Sequence, residues 1–507
     1  MINKVLVANR GEIAVRVLRT CKELGLQTVA VFSEADRGAP HVRYADEAFC
    51  IGEPPAQQSY LCGERIIDTA LQAGAQAVHP GYGFLSESAD FARDCVEAGL
   101  TFVGPRPETV ALLGDKVAAR ELASDVGIPV ISGSKGALDD HQLLAAAGKL
   151  GYPLLLKAAA GGGGMGIQAV HSHRALQSAI PPLRRKAQRT FGNGDLYLEQ
   201  MVEGARHIEV QILGDNHGQV IHLGERECSI QRRHQKLVEE APSPSVDDAL
   251  RRHICEAAVR IGRAVGYVGA GTVEFLLDAE DDFCFLEVNP RLQVEHTVTE
   301  AVTGVDIVKE QLRIAAGRKL RYDQNTIHPW GWALQCRILA EDPFQDFQPT
   351  IGQISHLVEP AGPGIRVDSG TCVGYTVSSY YDTLLAKLIS WGNTRAEAIV
   401  RMRRALGEYQ IVGLTTNLEL HRGIFGSYRF FGGRIHTRFL EEHLSLSPSN
   451  VDHRMVAALT AALLDHQRRS GSEQPEDSNH SPWKMLGQWE LMQEWSPKPV
   501  QGWPHQG

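Results

Sequence analysis

Alternate positions between Phe283 and His296 carry side chains that can bind ions or move protons. In chain order, the polar residues of this segment are Glu287, Asn289, Arg291, Gln293 and Glu295. Most positions between them are apolar, and a period of two is typical of an extended segment with one polar face. That face could form a ligand site or be an ordinary solvated charged surface, and the spacing alone leaves both interpretations open.

A second strand is predicted just before this segment and is joined to it by a hairpin loop. If Asp278 pairs with Phe283, Glu274 lies directly opposite Glu287. Two carboxylates placed in this way have Cβ atoms about 4.5–5.5 Å apart and repel each other unless a cation lies between them. Together with the amide oxygen of Asn289, they would form a hard oxygen site suited to Mg²⁺.

A glycine-rich loop follows a predicted apolar strand that ends at Lys157. The loop contains Gly161 to Gly164 in succession, followed by Met165. Glycines let backbone N–H groups approach phosphate oxygens, and a nearby lysine adds positive charge. The spacing is not that of a Walker P-loop. The loop therefore favours a phosphate-covering lid, with a flexible surface linker as the alternative.

The segment Glu225–Lys236 is rich in basic side chains and is followed by two acidic ones. The basic residues are Arg226, Arg232, Arg233, His234 and Lys236, and the acidic ones are Glu239 and Glu240. Arginine and lysine at this density could bind a polyanion or bicarbonate. A solvated network of ion pairs is an equally good interpretation of the composition.

The elements that must position these groups begin with alternating strands and helices, which predict a nucleotide-type α/β fold. The first strand is not followed by Gly-x-Gly-x-x-Gly, so a dinucleotide site is not indicated there. The Gly- and Pro-rich loop His79–Glu87 lies where strands of this sheet should end, although such a loop is often only a turn. A mixed α+β body is predicted up to about residue 445. After it come a helix over Val451–His466 and a polar linker that we expect to be disordered.

The chain has 507 residues, a net charge of −9 and 43% hydrophobic residues, as expected of a globular protein with several domains. The net charge gives no general attraction to nucleic acid or an anionic membrane. Nine scattered cysteines and a first strand that begins at Lys4 favour a cytoplasmic protein without a leader peptide.

Several motifs occur in one order along the chain. They are the opening Lys4–Glu12, His79–Glu87, Lys157 with its four glycines, Arg206–Gln211, Gln231–Lys236, Glu287–His296 and Arg337–Pro343. In this order the chain resembles the ATP-grasp biotin carboxylase subunits of acetyl-CoA and related acyl-CoA carboxylases. The resemblance runs from residue 1 to about 445.

The resemblance implies an α/β and α+β fold of three parts, with ATP held between a mobile lid and the body. The expected divisions are a pre-ATP-grasp, Rossmann-like domain (1–113), a connecting helix (114–130), the lid (131–203), the ATP-grasp body with the C-terminal biotin carboxylase domain (204–445), and a tail (446–507).

The resemblance also implies the ligand sites. ATP-binding positions are Lys116, Lys157, Gly163, Gly164, Glu199, Gln200, Met201, Val202, His207, Gln231, His234, Glu274, Leu276 and Glu287. Those for Mg²⁺ or Mn²⁺ are Glu274, Glu287 and Asn289. The bicarbonate site comprises Lys236, Arg291, Gln293, Val294 and Glu295, and the biotin site comprises Tyr82 and Arg337.

In the mechanism implied by the resemblance, Glu295 is the base for bicarbonate, which attacks the γ-phosphate of ATP to give carboxyphosphate. Lys236, Arg291 and Arg337 complete the catalytic set, with Arg337 stabilising the biotin enolate. Biotin is expected on a separate carrier protein, and a carboxyltransferase is expected as a further partner. A homodimer is expected, with Arg19, Glu23 and Arg366 at its interface.

The chain departs from the family in its lid, where Met165 follows the glycines in place of the usual Arg or Lys. We expect a Met165→Arg variant to have a lower Michaelis constant for ATP, because it gains one charge and one donor. The tail, Ser481 to Trp489, resembles the start of an additional domain that is found in the larger chain of some acyl-CoA carboxylases.

The function expected from the resemblance is the first half-reaction of acetyl-CoA carboxylase in fatty acid synthesis. Subunits for propionyl-CoA, methylcrotonyl-CoA, pyruvate or urea carboxylation share this half-reaction and remain alternatives. The segment Gln231–Lys236 and Arg337 argue against another ATP-grasp ligase such as a carbamoyl-phosphate synthase. A catalytically weak ATP-binding regulator is the remaining alternative.

Overall fold

The computed structural model describes residues 2–134, 136, 138–159, 166–444 and 453–470. The chain divides into two compact units, Met1–Leu446 and Ser447–Gly507. In the second unit the described element is helix α16, His453–Ser470, which confirms the helix predicted there. The linker and tail beyond residue 470 lie outside the described residues.

The first unit opens with a parallel sheet flanked by helices, as the alternating pattern predicted. Its elements are β1 Lys4–Val7, α1 Gly11–Glu23, β2 Gln27–Ser33, α2 Pro40–Tyr44, β3 Glu47–Gly52, α3 Gly63–Gln72, β4 Ala77–His79, α4 Ala89–Glu97, β5 Thr101–Phe102, α5 Pro107–Gly114 and α6 Lys116–Asp125. The strand order is β3-β2-β1-β4-β5. The alternation along the chain and the parallel sheet agree with the predicted Rossmann-like opening.

A small antiparallel sheet with two helices follows. The elements are α7 Asp140–Leu150, β6 Leu154–Ala158, β7 Ile167–Val170, α8 His173–Phe191 and β8 Leu196–Gln200, with strand order β7-β6-β8. Its buried core contains Leu143, Leu156, Leu176, Ile180 and Leu198. The glycine-rich loop joins β6 to β7, and residues 160–165 of that loop lie outside the described residues.

The remaining elements build an eight-stranded antiparallel sheet, three two-stranded sheets and the helices that accompany them. They are β9 Arg206–Gly214, β10 Val220–Arg232, β11 Gln235–Ala241, α9 Asp248–Ala264, β12 Gly269–Leu277, β13 Phe283–Asn289, α10 His296–Thr303, α11 Ile307–Ala315, β14 Trp332–Leu339, β15 Glu341–Asp342, β16 Gln348–Pro349, β17 Gly352–Gln353, β18 His356–Val358, β19 Ile365–Ser369, β20 Thr376–Val377, β21 Leu384–Gly392, α12 Arg395–Glu408, β22 Gln410–Val412, α13 Leu418–Gly426, α14 Tyr428–Phe431 and α15 Phe439–His443.

The order of the large sheet is β13-β12-β9-β10-β11-β14-β21-β19. Strand β11 therefore pairs with β14, which lies about a hundred residues further along the chain in the C-terminal part. This pairing makes one continuous surface from two distant stretches of sequence. Glu274, Glu287, Lys236 and Arg337 lie on that sheet, whereas Lys157 and Glu199 lie on the small sheet.

Candidate active site

The hairpin of β12 and β13 places Glu274 opposite Glu287, as predicted, but not by the predicted pairing. Leu277, rather than Asp278, is the partner of Phe283. A β-bulge after the Phe275 pair shifts the register by one residue on β13 and so brings the two carboxylates level again. The assumed pairing of Asp278 with Phe283 was therefore wrong, but the bulge restores the predicted pairing of Glu274 with Glu287.

The polar alternation does not stay in the sheet over its whole length. Strand β13 ends at Asn289, and Glu295 is the N-cap residue of α10. Residues 290–294 form an irregular link between the two. Because a strand fixes its side chains to one of two faces and a link does not, Arg291 and Glu295 can point to different ligands.

The carboxylate of Glu274 contacts side chains from several elements of the site. Its Oε2 lies 2.9 Å from His207 Nε2, and its Oε1 accepts hydrogen bonds from Asn289 Nδ2 at 2.8 Å and Gln293 Nε2 at 3.1 Å. Burial alone would raise the pKa of Glu274, but Lys236 and His207 lower it well below the ordinary value. This carboxylate is therefore held ionised.

Lys236 neutralises three buried carboxylates at once. Its ammonium group lies 2.8 Å from Glu274 Oε1 and 2.8 Å from Glu295 Oε1, and it donates a short hydrogen bond to Glu209. Burial would lower the pKa of Lys236, but the three carboxylates raise it well above its ordinary value. One cation thus fixes side chains from β9, β12 and the start of α10.

Glu295 lies between two cations. Besides Lys236, Arg337 donates from Nη2 to its Oε2 at 3.1 Å. Burial would raise the pKa of this carboxyl, yet Lys236 and then Arg337 hold it well below the ordinary value. The nearby Glu239, which accepts from Arg337 Nε at 2.6 Å, has its pKa raised by burial despite Arg337.

Two further groups of cations and carboxylates are a partly exposed pair on the hairpin and a buried group on the small sheet. Lys116, the first residue of α6, has its Nζ 2.9 Å from Glu287 Oε2, and both side chains are 29% exposed. On the small sheet, Lys157 makes a short ion pair with Glu199, and Arg120 lies 3.8 Å from the same carboxylate.

The other residues predicted to bind ATP lie at the end of β8, on strands of the large sheet and in the turn between β10 and β11. Gln200 ends β8 and donates its backbone N–H to Ser132, and Met201 and Val202 follow it. Gln231 donates to His207 Nδ1 at 2.9 Å, while Leu276 is the cross-strand partner of His207. His234 lies at the exposed turn between β10 and β11 with a φ of +66°. Gly163, Gly164 and Met165 lie outside the described residues.

Tyr82 and Val294 are connected through residues that the sequence did not single out. The Tyr82 hydroxyl makes a short hydrogen bond to Glu12, whose other carboxylate oxygen lies 3.0 Å from Lys387 Nζ. Lys387 also donates to the backbone carbonyl of Val294 at 3.2 Å. The Lys387 side chain is fully buried. It therefore ties the loop that carries Tyr82 to the peptide bond preceding Glu295.

Glu209 was missed as a site residue, and Arg226, predicted only as part of a possible anion-binding segment, is instead fully buried against Glu209. Glu209 is fully buried, and its partner Arg226 also contacts Gln211, Thr272 and Thr299. In the segment Arg206–Gln211 a period of two puts Glu209 on the face of His207, so the alternation could have identified it. Arg226 lay in a cluster of charges that offered no such periodic pattern.

The donor set fits the metal inferred from the sequence. Glu274 and Glu287 face each other across the hairpin, and Asn289 touches Glu274, so hard oxygen ligands are concentrated there. The amide oxygen of Asn289 accepts from Arg291 Nη2 at 3.1 Å. Arg291 also lies 2.9 Å from Glu87 and donates to Gln293 at 3.0 Å.

Comparison with known proteins assigns the family. The N-terminal domain of biotin carboxylase matches residues 1–110, its C-terminal domain matches residues 335–442, and the ATP-binding domain of the carbamoyl-phosphate synthase L chain matches residues 115–323. Biotin carboxylase 1 of Bacillus subtilis is 48% identical over 445 residues, which cover 87% of this chain and 99% of that protein. The chain belongs to the biotin carboxylase family.

Two further biotin carboxylase relatives differ in the carboxylase to which they belong. A pyruvate carboxylase subunit of Methanothermobacter thermautotrophicus is 48% identical, with coverage of 87% of this chain and 90% of that protein. The biotin carboxylase domain of Hydrogenobacter thermophilus 2-oxoglutarate carboxylase, a dimer solved with MgADP, ADP and bicarbonate, gives a TM-score of 0.86 at 49% identity. It covers 87% of this chain and 98% of that one.

The protein is accordingly an ATP-dependent ligase that carboxylates biotin with bicarbonate, and its fold is that of the biotin carboxylases. The relatives leave the carboxylase to which this chain belongs unresolved. Among the described residues, no helix has the length and apolar character needed to cross a membrane.

Proposed function

We propose that this biotin carboxylase acts on biotin attached to a separate carrier protein, in the first half-reaction of an acetyl-CoA carboxylase that supplies malonyl-CoA for fatty acid synthesis. One observation supports the assignment of residues most strongly: the carboxylate of Glu295 is fully buried and is held ionised between Lys236 and Arg337. An ionised carboxylate between cations can accept a proton while the cations stabilise the oxyanion that results.

ATP would bind between the small sheet and the large one. We assign its phosphates to Lys116 and Lys157, whose ammonium groups are paired with carboxylates that an anionic ligand could replace. The backbone of residues 199–202 would contact the adenine. Glu274, Glu287 and Asn289 would hold Mg²⁺, which neutralises phosphate charge when bound.

For the first step we assign the proton transfer to Glu295. Its carboxylate would remove the proton of bicarbonate, and an oxygen of the resulting carbonate would attack the γ-phosphorus as ADP leaves, giving carboxyphosphate. Lys236 and Arg291 would hold the carbonate oxygens. Gln293 and the backbone of Val294 would complete this bicarbonate site, supported by the bond from Lys387 to Val294.

For the second step we assign the biotin side to Arg337 and Tyr82. Carboxyphosphate would break into CO₂ and phosphate, and the phosphate would remove the N1′ proton of biotin. The guanidinium of Arg337 would stabilise the enolate that then attacks CO₂. Because Arg337 also donates to Glu295, it links the bicarbonate and biotin positions.

The partners are inferred from the names of the relatives. The Methanothermobacter relative is named as one subunit of a pyruvate carboxylase, which supports biotin carriage and carboxyl transfer by other chains. A homodimer is supported by the dimer named for the Hydrogenobacter structure. We assign Arg19, Glu23 and Arg366 to its interface. Within the chain, Arg366 lies 2.8 Å from Glu300 and 2.7 Å from Asp368.

The assignment is tested by measuring ADP release from the purified chain with free biotin. Release should require both bicarbonate and biotin, and Glu295→Gln should lower the rate by about 10²- to 10⁴-fold, the usual contribution of a general base. Glu280→Gln, in the loop of the same hairpin, is the matched control. A Glu295→Gln enzyme as fast as the wild type would refute the assignment of the base.

The acceptor needs a separate experiment. The enzyme, with ATP and bicarbonate, should be combined with a biotinylated carrier protein and with the carboxyltransferase of an acetyl-CoA carboxylase, and malonyl-CoA should form. Pyruvate is the second candidate acceptor because of the name of the Methanothermobacter relative. Transfer only to pyruvate with its own carboxyltransferase would overturn the acetyl-CoA proposal.

A further inference from the structure

A buried chain of hydrogen bonds connects the first turn of α10 to Arg337. The hydroxyl of Thr297 makes a short hydrogen bond to Gln335 Oε1, and Gln335 Nε2 donates to Glu239 Oε2 at 2.9 Å. The other oxygen of Glu239 accepts from Arg337 Nε at 2.6 Å. Thr297, Gln335 and Glu239 are all fully buried.

The sheet brings these groups together across a long stretch of sequence. Glu239 on β11 and Gln335 on β14 are direct cross-strand partners. Arg337 lies two residues further along β14 and so projects from the same face. Thr297 reaches the pair from helix α10, which packs on both strands.

The donors and acceptors in this series fix the direction of each hydrogen bond. Both carboxylate oxygens of Glu239 act as acceptors, one for Gln335 Nε2 and the other for Arg337 Nε, so Gln335 turns its NH₂ group toward Glu239. The amide oxygen of Gln335 then faces Thr297, and the hydroxyl of Thr297 must be the donor. If the amide turned over, its oxygen would face the carboxylate and both groups would lose a bond.

We propose that Thr297 and Gln335 are positioning residues for Arg337, which they orient through Glu239. This inference rests on the role proposed above for Arg337. With Gln335 holding one oxygen of Glu239, the other oxygen stays directed at Arg337 Nε, and Arg337 Nη2 stays directed at Glu295. The guanidinium is thereby held in one plane before biotin arrives, so less order has to be created in the transition state.

The backbone at this position is held by different groups. Asn417 Nδ2 and His421 Nε2 both donate to the carbonyl of Arg337, at 2.9 and 2.8 Å. A change at Thr297 therefore leaves the main chain of β14 supported. Its effect should be confined to the orientation of the guanidinium.

The test compares Thr297→Val, which keeps the shape of the side chain and loses the donor, with Thr297→Ser, which keeps the donor. ADP release is measured while free biotin is varied at saturating ATP and bicarbonate. For Thr297→Val we expect kcat/KM for biotin to fall about tenfold, equivalent to about 1.4 kcal/mol, with the Michaelis constant for ATP within about twofold of wild type. Thr297→Ser should stay within about threefold of wild type in both.

Gln335→Met is the second variant and should reproduce the Thr297→Val effect, and it decides the question if Thr297→Val fails to fold. Equal biotin kinetics in Thr297→Val, Thr297→Ser and wild type would overturn the inference. So would a parallel loss for biotin and ATP, which would indicate a general structural defect. Wild-type enzyme that releases no ADP with biotin would instead refute the proposed function itself.

Discussion

The site has two halves that differ in how their charges are held. We call them the bicarbonate half, with Lys236, Glu295 and Arg337, and the phosphate half, by which we mean the Lys116–Glu287 pair and not the more buried Lys157–Glu199 pair of the small sheet. In the bicarbonate half every charged group has two or more charged partners, and the exposed fractions of the three side chains are 12%, 0% and 18%. In the phosphate half the two side chains pair with each other and are each 29% exposed.

The difference indicates two ways of preparing a site. Charges buried with several partners are difficult to separate, so the bicarbonate half is organised before its small substrate arrives. A single, partly exposed ion pair contributes little to stability, and an anionic or cationic ligand can replace one of its partners. The phosphate half is therefore suited to a large ligand that brings its own charges and metal ion.

The largest effect expected from this comparison is that of Lys236→Met on stability. The substitution removes the cation that Glu209, Glu274 and Glu295 share, and removing one partner from a buried ion pair costs about 3–5 kcal/mol. The free energy of unfolding, measured by urea denaturation at pH 7, should fall by that amount. A loss below about 1 kcal/mol would show that the bicarbonate half is no more tightly held than a surface pair.

The next effect concerns His421, whose Nε2 donates to the backbone carbonyl of Arg337. Burial lowers the pKa of His421 to about 4, so between pH 6.5 and 4 the unfolded chain binds the extra proton. Its contribution to stability is complete above pH 6.5 and is lost as the pH falls toward 4, by about 3 kcal/mol.

The variant His421→Gln keeps a donor for the carbonyl of Arg337 but does not titrate. Its unfolding free energy should therefore decline less steeply than that of the wild type over this pH range, as followed by urea denaturation at several pH values. Parallel declines in the two proteins would mean that His421 is not the group responsible. Other buried histidines contribute equally to both proteins and cancel in the comparison.

A third prediction tests the phosphate half with its ligand. MgATP at one hundred times its dissociation constant should stabilise the wild type by about 2.7 kcal/mol. In Glu287→Gln the Mg²⁺-dependent part of this stabilisation should be lost, because the metal loses a charged ligand. Thermal unfolding with ATP, with and without Mg²⁺, measures the difference. Glu280→Gln should behave as the wild type, and the same behaviour in Glu287→Gln would remove Glu287 from the metal site.

The smallest effect is that of Lys116→Met without ligand. Breaking its pair with Glu287 should change the free energy of unfolding by no more than about 1 kcal/mol, because the pair is partly exposed. The Michaelis constant for ATP should nevertheless rise. A loss of stability as large as that of Lys236→Met would abolish the distinction between the two halves.

Much of the fold followed from local patterns. The alternation of strands and helices predicted the N-terminal parallel sheet, although β3 was not identified because Glu47–Gly52 is short and half exposed. The ends of helices were less well predicted. The helix predicted over Val451–His466, for example, spans His453–Ser470 in the structure.

The candidate site was predictable where motifs occurred in the family's order along the chain and where a period of two placed side chains on one face of a strand. Glu274, Glu287 and Glu295 were selected in this way. Glu239 and Lys387 were not, since each lies in an ordinary strand whose sequence gives no sign of the partner it will meet. Their partners are set by strand pairing and by the packing of α10.

By itself, the sequence determined which side chains share a face, because a strand alternates its side chains whatever surrounds it. It also determined the family through the order of its motifs. Only the tertiary structure decided which cation neutralises which carboxylate. Lys236 meets Glu274 and Glu295 across 38 and 59 residues, and Lys387 meets Val294 across 93. No local pattern extends over such separations, so these contacts depend on the register of the large sheet and on the bulges within it.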